Sequence, residues 1–283
     1  MKNRLLKKCM NKSAITISTD YNYITYLKRA LDTLYKHGTI ADVYVYAVNF
    51  TDDQINELDV YNIQIIRDNK HTLSTCKNMV KDMEIEDTEM YHGVLSDVGK
   101  HLKSLLYSEQ SVYTCHSRFK SINILLDKGY KNILCVDADT LFNKNIDHMF
   151  DKTDKDMYVV PEIIKEEDFY IETGHNNVPV SWELIKNSPE RTYMNFFGNE
   201  GMLFINNTKK TISFFNDVHN FIFTGNKWCE WDADADALDN IMSIKPIDIG
   251  VLDFNYKDSY CDVESYIWSG DGMGKYKKTE FII

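Results

Sequence analysis

Short β-branched runs and longer stretches of helical period take turns along the first half of this chain, and that alternation restricts the fold more than any other feature. "AITIS" (14–18) reads as a short buried strand. "YITYLKRALDTLYKHG" follows, with Ile24, Leu27, Leu31 and Leu34 near helical spacing and Gly38 placed to stop the helix. "DVYVYAV" (42–48) is a second strand, "TDDQINEL" a short helix with an acidic start, and "IQIIRD" (63–68) a third strand. "SRFKSINILLDKG" (117–129) is a helix ending in glycine, after which "NILCVDAD" returns to strand. Strands alternating with helices predict an α/β domain with a mainly parallel central sheet.

The second half is less regular. "MYVVPEI" (157–163) and "GMLFIN" (201–206) read as strands, and "KKTISFFNDVHNFIFTG" (209–225) as an amphipathic helix. The polar, proline-containing stretch between those strands, 164–196, reads as a loop or lid. With 283 residues, 43% of them hydrophobic, the chain can bury a sizeable core. No repeat, linker or low-complexity segment divides it, so one continuous domain is expected over 1–283. Within it three parts follow one another, 13–150, 151–256 and a C-terminal tail over 257–283. The formal net charge of −11 makes the chain a poor general binder of polyanions, since nucleic-acid affinity comes largely from Lys and Arg on phosphates. The six cysteines are scattered with no C-x-x-C, as expected of reduced thiols in a cytosolic protein. The basic N-terminus "MKNRLLKKCMNKS" lacks the apolar core of a signal peptide, and no run is long enough to span a membrane.

Two aspartate clusters invite a cation. Asp137 and Asp139 close "ILCVDADTLF", and on a strand alternate residues share a side, roughly 6–7 Å apart along the chain. Ligands of open α/β sheets gather outside the carboxyl ends of the strands. Two carboxylates there suit a hard divalent cation that keeps water and phosphate as its other ligands, or else they are turn and capping aspartates. "WDADADALDN" has a different context, because "ALDNIM" continues as helix and residues two apart on a helix face different sides. Asp232 and Asp234 read as cap residues there, leaving Asp234 or Asp236 to bond a hydroxylated ligand. "SGDGMGKYKK" (269–278) fails the P-loop spacing and has Tyr276 where Ser or Thr is needed. Its glycines with Lys275 and Lys277 suit either a diphosphate wrap or a flexible basic tail. The eight histidines are dispersed and support no nucleophilic triad, and His116 beside Cys115 reads as incidental to a helix start.

Taken together, these segments resemble, in order, the GT-A glycosyltransferases with their Rossmann-like nucleotide-diphospho-sugar fold, and within them retaining glycosyltransferase family 8, the galactosyltransferase and glycogenin group. "ITISTDYNYITYL" is similar to that family's first strand and loop, which implies Asp20, Asn22 and Tyr23 at the uracil and ribose and backbone contacts from Ser18 and Thr19. "HSRFKSINILLDKGYKNILCVDADTLF" resembles its helix and metal strand. Arg118 then lies near the donor sugar and diphosphate, and Asp137, Ala138 and Asp139 form the D-x-D that holds Mn²⁺ or Mg²⁺. "FGNEGMLFIN" resembles its N-A-G segment and implies Asn199, Glu200 and Gly201 beside the sugar, with Glu200 in place of a small residue. "DADALDN" resembles D-Q-D-x-L-N, with Asp234 on the sugar hydroxyls and Ala235 where the family has glutamine on the reacting face. "FNY" (254–256) resembles the F-N that follows. "SGDGMGK" resembles H-x-x-G-x-x-K, with Gly272 and Lys275 on the phosphates. There the family's metal-binding histidine falls on Ser269, and Asp271 or water is the replacement expected.

The resemblance implies a metal-dependent retaining glycosyltransferase that moves a hexose or pentose from a nucleotide sugar, a UDP-sugar by the first motif, to a hydroxyl. Asp234, Arg118 and Lys275 are its expected catalytic groups, and a saccharide, a protein or a modified nucleobase its acceptor. The acceptor contacts are expected from 164–196, where Trp182, Tyr170 and Tyr193 offer stacking surfaces. Two other readings stand beside it: transfer to a modified base in DNA, which the acidity disfavours, and an inactive sugar-nucleotide-binding module, which Ser269 and Ala235 motivate. Nucleotidyl transfer on a related fold is disfavoured because "STDYNYITYL" has no glycine for a phosphate loop.

Overall fold

A computed structural model describes residues 12–69, 109–165, 192–195, 201–225, 227–228, 233–258 and 262–269. The expected alternation is present. Strand β1 (Ser13–Asp20) leads through a single 3₁₀ turn into helix α1 (Ile24–His37), then β2 (Asp42–Val48), α2 (Asp52–Asn56) and β3 (Ile63–Asp68). Helices α3 (Glu109–His116) and α4 (Arg118–Asp127) precede β4 (Asn132–Asp137) and the short β5 (Leu141–Phe142). The local chemistry accounts for several ends. Thr51 and Gln54 form a reciprocal capping box at the start of α2. Gly38 and Gly129 follow α1 and α4 with φ of 76° and 80°, the left-handed region that glycine enters without penalty.

The second half supplies β6 (Met157–Val159), β7 (Glu162–Lys165), β8 (Thr192–Asn195) and β9 (Met202–Asn206). Helix α5 (Lys209–His219) continues as a π-helical turn over Asn220–Thr224. Helix α6 (Ala233–Ile244), β10 (Ile249–Val251) and β11 (Ile267–Trp268) follow. The stretch 164–196, expected as a loop or lid, has paired ends instead: β7 and β8 form an antiparallel ladder, Glu162 opposite Asn195. Its inner residues, Trp182 and Tyr170 among them, lie outside the described residues.

Seven strands form the central sheet in the order β10-β6-β9-β4-β1-β2-β3, parallel throughout except β9, which runs antiparallel to both β4 and β6. Alternate residues of the strands face opposite layers. Ile15, Ile17, Val43, Val45, Leu134 and Val136 pack against Leu27, Ala30, Leu31 and Leu34 of α1. Ala14, Tyr44, Ile133 and Cys135 pack with Phe119, Ile122 and Leu125 of α4 and Phe214 and Phe215 of α5. The result is a three-layer α/β/α arrangement, as the near-continuous apolar strands require.

One expectation changes. Strand β4 ends at Asp137; Ala138 and Asp139 belong to a turn in which Thr140 N–H donates to the Asp137 carbonyl at 3.2 Å. Strand alternation therefore does not relate Asp137 to Asp139. Asp139 lies on the turn, while Ala138 packs its methyl into the core.

Candidate active site

The sheet reverses its winding at β1. The chain runs outward from β1 through β2 to β3, and β4 is laid on the other side of β1. At such a switch point the carboxyl ends of two neighbouring strands open a crevice that ligands occupy. Here those ends bring "STDYNY" beside "DADT", with Ser18 in register with Asp137.

Unmade hydrogen bonds gather along the same edge. Among the described residues, seven buried side-chain atoms have no partner. Ser18 Oγ and Asp20 Oδ2 end β1, Asn49 Oδ1 follows β2, Thr140 Oγ1 follows β4 and Ser269 Oγ follows β11; only those of Asn132 and Asn206 lie elsewhere. A buried polar atom left unpaired costs roughly 1–3 kcal/mol, so native proteins keep few of them without a reason. A polar ligand at this edge is such a reason.

Arg118 anchors the centre. It opens α4, lies almost wholly buried, and its Nη2 meets Asp137 Oδ1 at 3.0 Å. Its Nε donates to the Cys115 carbonyl at 2.8 Å and its Nη2 to Cys115 Sγ at 2.9 Å. Burial works against the charge on Arg118, but Cys115, Asp137 and Asp234 more than offset it and hold the guanidinium protonated. Gly201 closes the other side of Asp137, whose N–H donates to the Gly201 carbonyl at 3.1 Å. A Cβ on Gly201 would stand 2.2 Å from Asp137 Oδ2 and 2.8 Å from Lys257 Nζ. Only glycine lets that backbone approach the carboxylate. Gly201→Ala is expected to displace Asp137 and cost about 1–3 kcal/mol in overpacking. Urea unfolding checks this, and an unchanged midpoint contradicts it.

Asp234, in the first turn of α6, is a buried carboxylate. His116 Nε2 lies 3.6 Å from its Oδ1, while His116 Nδ1 bonds the Trp228 carbonyl at 2.9 Å. The Ala235 N–H donates to Oδ1 at 3.1 Å, and Cys115 Sγ lies 3.6 Å from Oδ2. Burial pushes the Asp234 carboxyl up. The charge and hydrogen bond of His116, then Arg118 and the Ala235 N–H, pull harder and hold it at about 2. Asp234 is thus an ionised acceptor at neutral pH, suited to receive hydroxyl hydrogen bonds. Sequence reasoning set His116 and Cys115 aside. They close α3 rather than start a helix, and no local pattern announces the contact with α6, more than a hundred residues away.

The loop after β1 completes the edge. Asp20 Oδ1 accepts from the Asn22 N–H at 2.9 Å and caps the 3₁₀ turn, so its other oxygen is the one left unpaired. Burial raises the Asp20 carboxyl, with the bonds from Gln110, Asn22 and Tyr23 opposing. Thr19 Oγ1 donates to the Asp20 carbonyl at 3.0 Å. The Tyr23 hydroxyl is raised first by burial and then by the fields of Asp139 and Asp20, which brings the D-x-D turn and the β1 loop to one site.

The donors at this edge can be weighed against a divalent cation. Asp137 and Asp139 offer hard carboxylate oxygens, and Ser269 and Thr140 offer buried unpaired hydroxyls on paired segments: Trp268, just before Ser269, pairs with Leu141, just after Thr140. Among the described residues no three of His, Cys, Asp and Glu are arranged to hold a metal ion. An all-oxygen set with at most two carboxylates fits Mg²⁺ or Mn²⁺ that takes its remaining ligands from phosphate and water. Asn199, Glu200, Asp271, Gly272 and Lys275 lie outside the described residues.

The family model for nucleotide-diphospho-sugar transferases matches residues 103–270, more than half of the sequence. The chain belongs to this family. The transferase is accordingly a glycosyltransferase, and its mixed seven-stranded sheet is the GT-A, Rossmann-like arrangement. Solved structures similar to it include the apo form of mouse xyloside xylosyltransferase 1 (12% identity over 92% of this chain and 98% of that one, TM-score 0.47). The galactosyltransferase LgtC, in complex with donor and acceptor sugar analogs, is 15% identical over 91% of this chain and 87% of that one, with a TM-score of 0.49. Apo GlyE of Streptococcus pneumoniae is 13% identical over 96% of this chain and 51% of that one, with a TM-score of 0.45. No curated protein matches the transferase. No helix among its described residues is long and apolar enough to cross a membrane.

Proposed function

We propose that this transferase is a metal-dependent, retaining glycosyltransferase of the family 8 kind that takes its sugar from a UDP-sugar. The observation that carries the reading is the cluster of unpaired buried polar atoms around the Arg118–Asp137 pair at the switch point. Three of its members, Ser18, Asp20 and Ser269, are positions that the sequence motifs assign to the donor or its metal. Asp20, Asn22 and Tyr23, with the backbone of Ser18 and Thr19, hold the uridine. Asp137 and Asp139 hold Mn²⁺ or Mg²⁺, with Ser269 or Asp271 as a weaker ligand. A cation held there supplies Lewis-acid charge to the diphosphate.

Each protein group then has a task. Arg118 and Lys275 stabilise the charge that develops on the departing phosphate oxygen. Asp234, ionised, accepts hydrogen bonds from the sugar hydroxyls and fixes the ring; Asn199, Glu200, Gly201 and Gly272 line the sugar and phosphates. The acceptor hydroxyl attacks the anomeric carbon from the face the diphosphate leaves. The new carbon–oxygen bond forms as the carbon–phosphate-oxygen bond breaks, and the acceptor proton passes to the leaving phosphate. Configuration is retained with no protein nucleophile, so Ala235 on the reacting face need supply no side-chain chemistry. The acceptor is a hydroxyl of a saccharide, a protein or a modified base. The cytosolic setting expected of the sequence is part of the proposal. Incubation with a panel of nucleotide sugars, with product masses read by mass spectrometry, tests the reading. UDP with a product one sugar heavier is the expected result, and no released nucleotide from any donor overturns it.

A further inference from the structure

We infer that Lys257 is a second resident cation of the donor site, which binds the diphosphate directly and lets the site hold a nucleoside diphosphate without metal. The inference deepens the nucleotide-sugar reading and rests on it. Lys257 belongs to none of the motifs that suggest the site, yet it is only 6% exposed. A lysine ammonium is stable at such burial only beside opposite charge. Its Nζ and Asp137 Oδ2 converge on the same spot above Gly201, while Asp137 Oδ1 is taken by Arg118. The D-x-D carboxylate thus stands between two cations before any ligand arrives.

The position is fixed by backbone rather than by chance rotamers. Asp258, the next residue, donates its N–H to the Ile267 carbonyl at 2.9 Å and accepts from the Ser269 N–H at 3.0 Å. Lys257 is therefore held alongside the segment ending in Ser269, where the resemblance expects a metal-binding histidine. Ser269 instead buries a hydroxyl with no partner. A neutral hydroxyl brings less to a cation than an imidazole does, whereas an ammonium with three donors can bond Asp137 and a phosphate oxygen together. The charge that a more tightly held metal provides is here shared with Lys257.

Calorimetric binding of UDP, in EDTA and in Mn²⁺, tests the assignment on the wild type, Lys257→Met and Lys257→Arg, each checked for folding by thermal unfolding. Wild type is expected to bind UDP in EDTA. Lys257→Met is expected to bind at least 10-fold more weakly there, with a smaller loss in Mn²⁺, and Lys257→Arg to recover most of the affinity. Equal affinity of wild type and Lys257→Met overturns the inference, as does wild-type binding that depends wholly on Mn²⁺; both leave the nucleotide-sugar reading intact. Absence of UDP binding by wild type in either condition overturns that reading itself. Lys257→Gln, which keeps a donor in the buried position, carries the comparison if the methionine variant does not fold.

Discussion

Arg118→Met is expected to be the most damaging single substitution in the described chain, lowering stability by about 3–5 kcal/mol and abolishing detectable binding of UDP. The methionine preserves much of the side-chain volume, so the loss is electrostatic. It strips the partner at 3.0 Å from Asp137 and a counter-charge from Asp234, which is buried beneath it. It also leaves the Cys115 carbonyl without the Nε donor that ties α3 to α4. An uncompensated buried carboxylate is the costliest outcome of breaking such a pair. Lysine should restore the charge but not the fork that reaches Asp137, the Cys115 carbonyl and Sγ together. Arg118→Lys is therefore expected to regain part of the stability and little of the affinity. Urea midpoints with UDP calorimetry check both parts, and an Arg118→Met protein as stable as wild type contradicts the account.

Asp234→Asn is the second large effect. The substitution keeps the shape but removes the charge that His116 and Arg118 surround. A loss on the order of 100-fold in sugar transfer is expected, as for removal of one preorganised hydrogen-bonding group, with little change in UDP affinity because the sugar contact alone is altered. The pH behaviour follows from the carboxyl held at about 2. Its folded value lies below the unfolded aspartate value, near ~3.9. The stability it contributes is therefore complete above that unfolded value and is lost as pH falls toward 2. Acid unfolding of Asp234→Asn should accordingly be less steep between about pH 4 and pH 2 than that of wild type. An equally steep acid transition in both proteins contradicts the assignment.

Much of the fold that frames this candidate site was legible in the sequence, for identifiable reasons. The strands β1, β2, β3 and β4 and the helix α1 carry strong periodicity, and Gly38 marks its helix end through backbone freedom alone. From the order of those elements the switch point follows, and with it the meeting of Ser18 and Asp137. Asp139 was misread because strand period was extended one turn too far; the Thr140 N–H to Asp137 carbonyl bond ends the strand before it. Lys257, His116 and Cys115 gave no local signal. Lys257 reaches the site through the pairing of Asp258 with the β11 segment, and His116 through a contact between α3 and α6. Such long-range meetings depend on the packed fold and leave no trace in spacing.

Release of UDP from a UDP-sugar in the presence of Mn²⁺, by the wild type and by Asp139→Ala, tests the central claim most directly. Asp139 is half-buried on the turn that follows β4, outside the strands of the sheet, and thermal unfolding verifies that its removal leaves the fold standing. The account predicts measurable release by the wild type and a loss on the order of 1,000-fold in Asp139→Ala, comparable to removing a principal stabiliser of transition-state charge. A folded Asp139→Ala protein that keeps full turnover would contradict it.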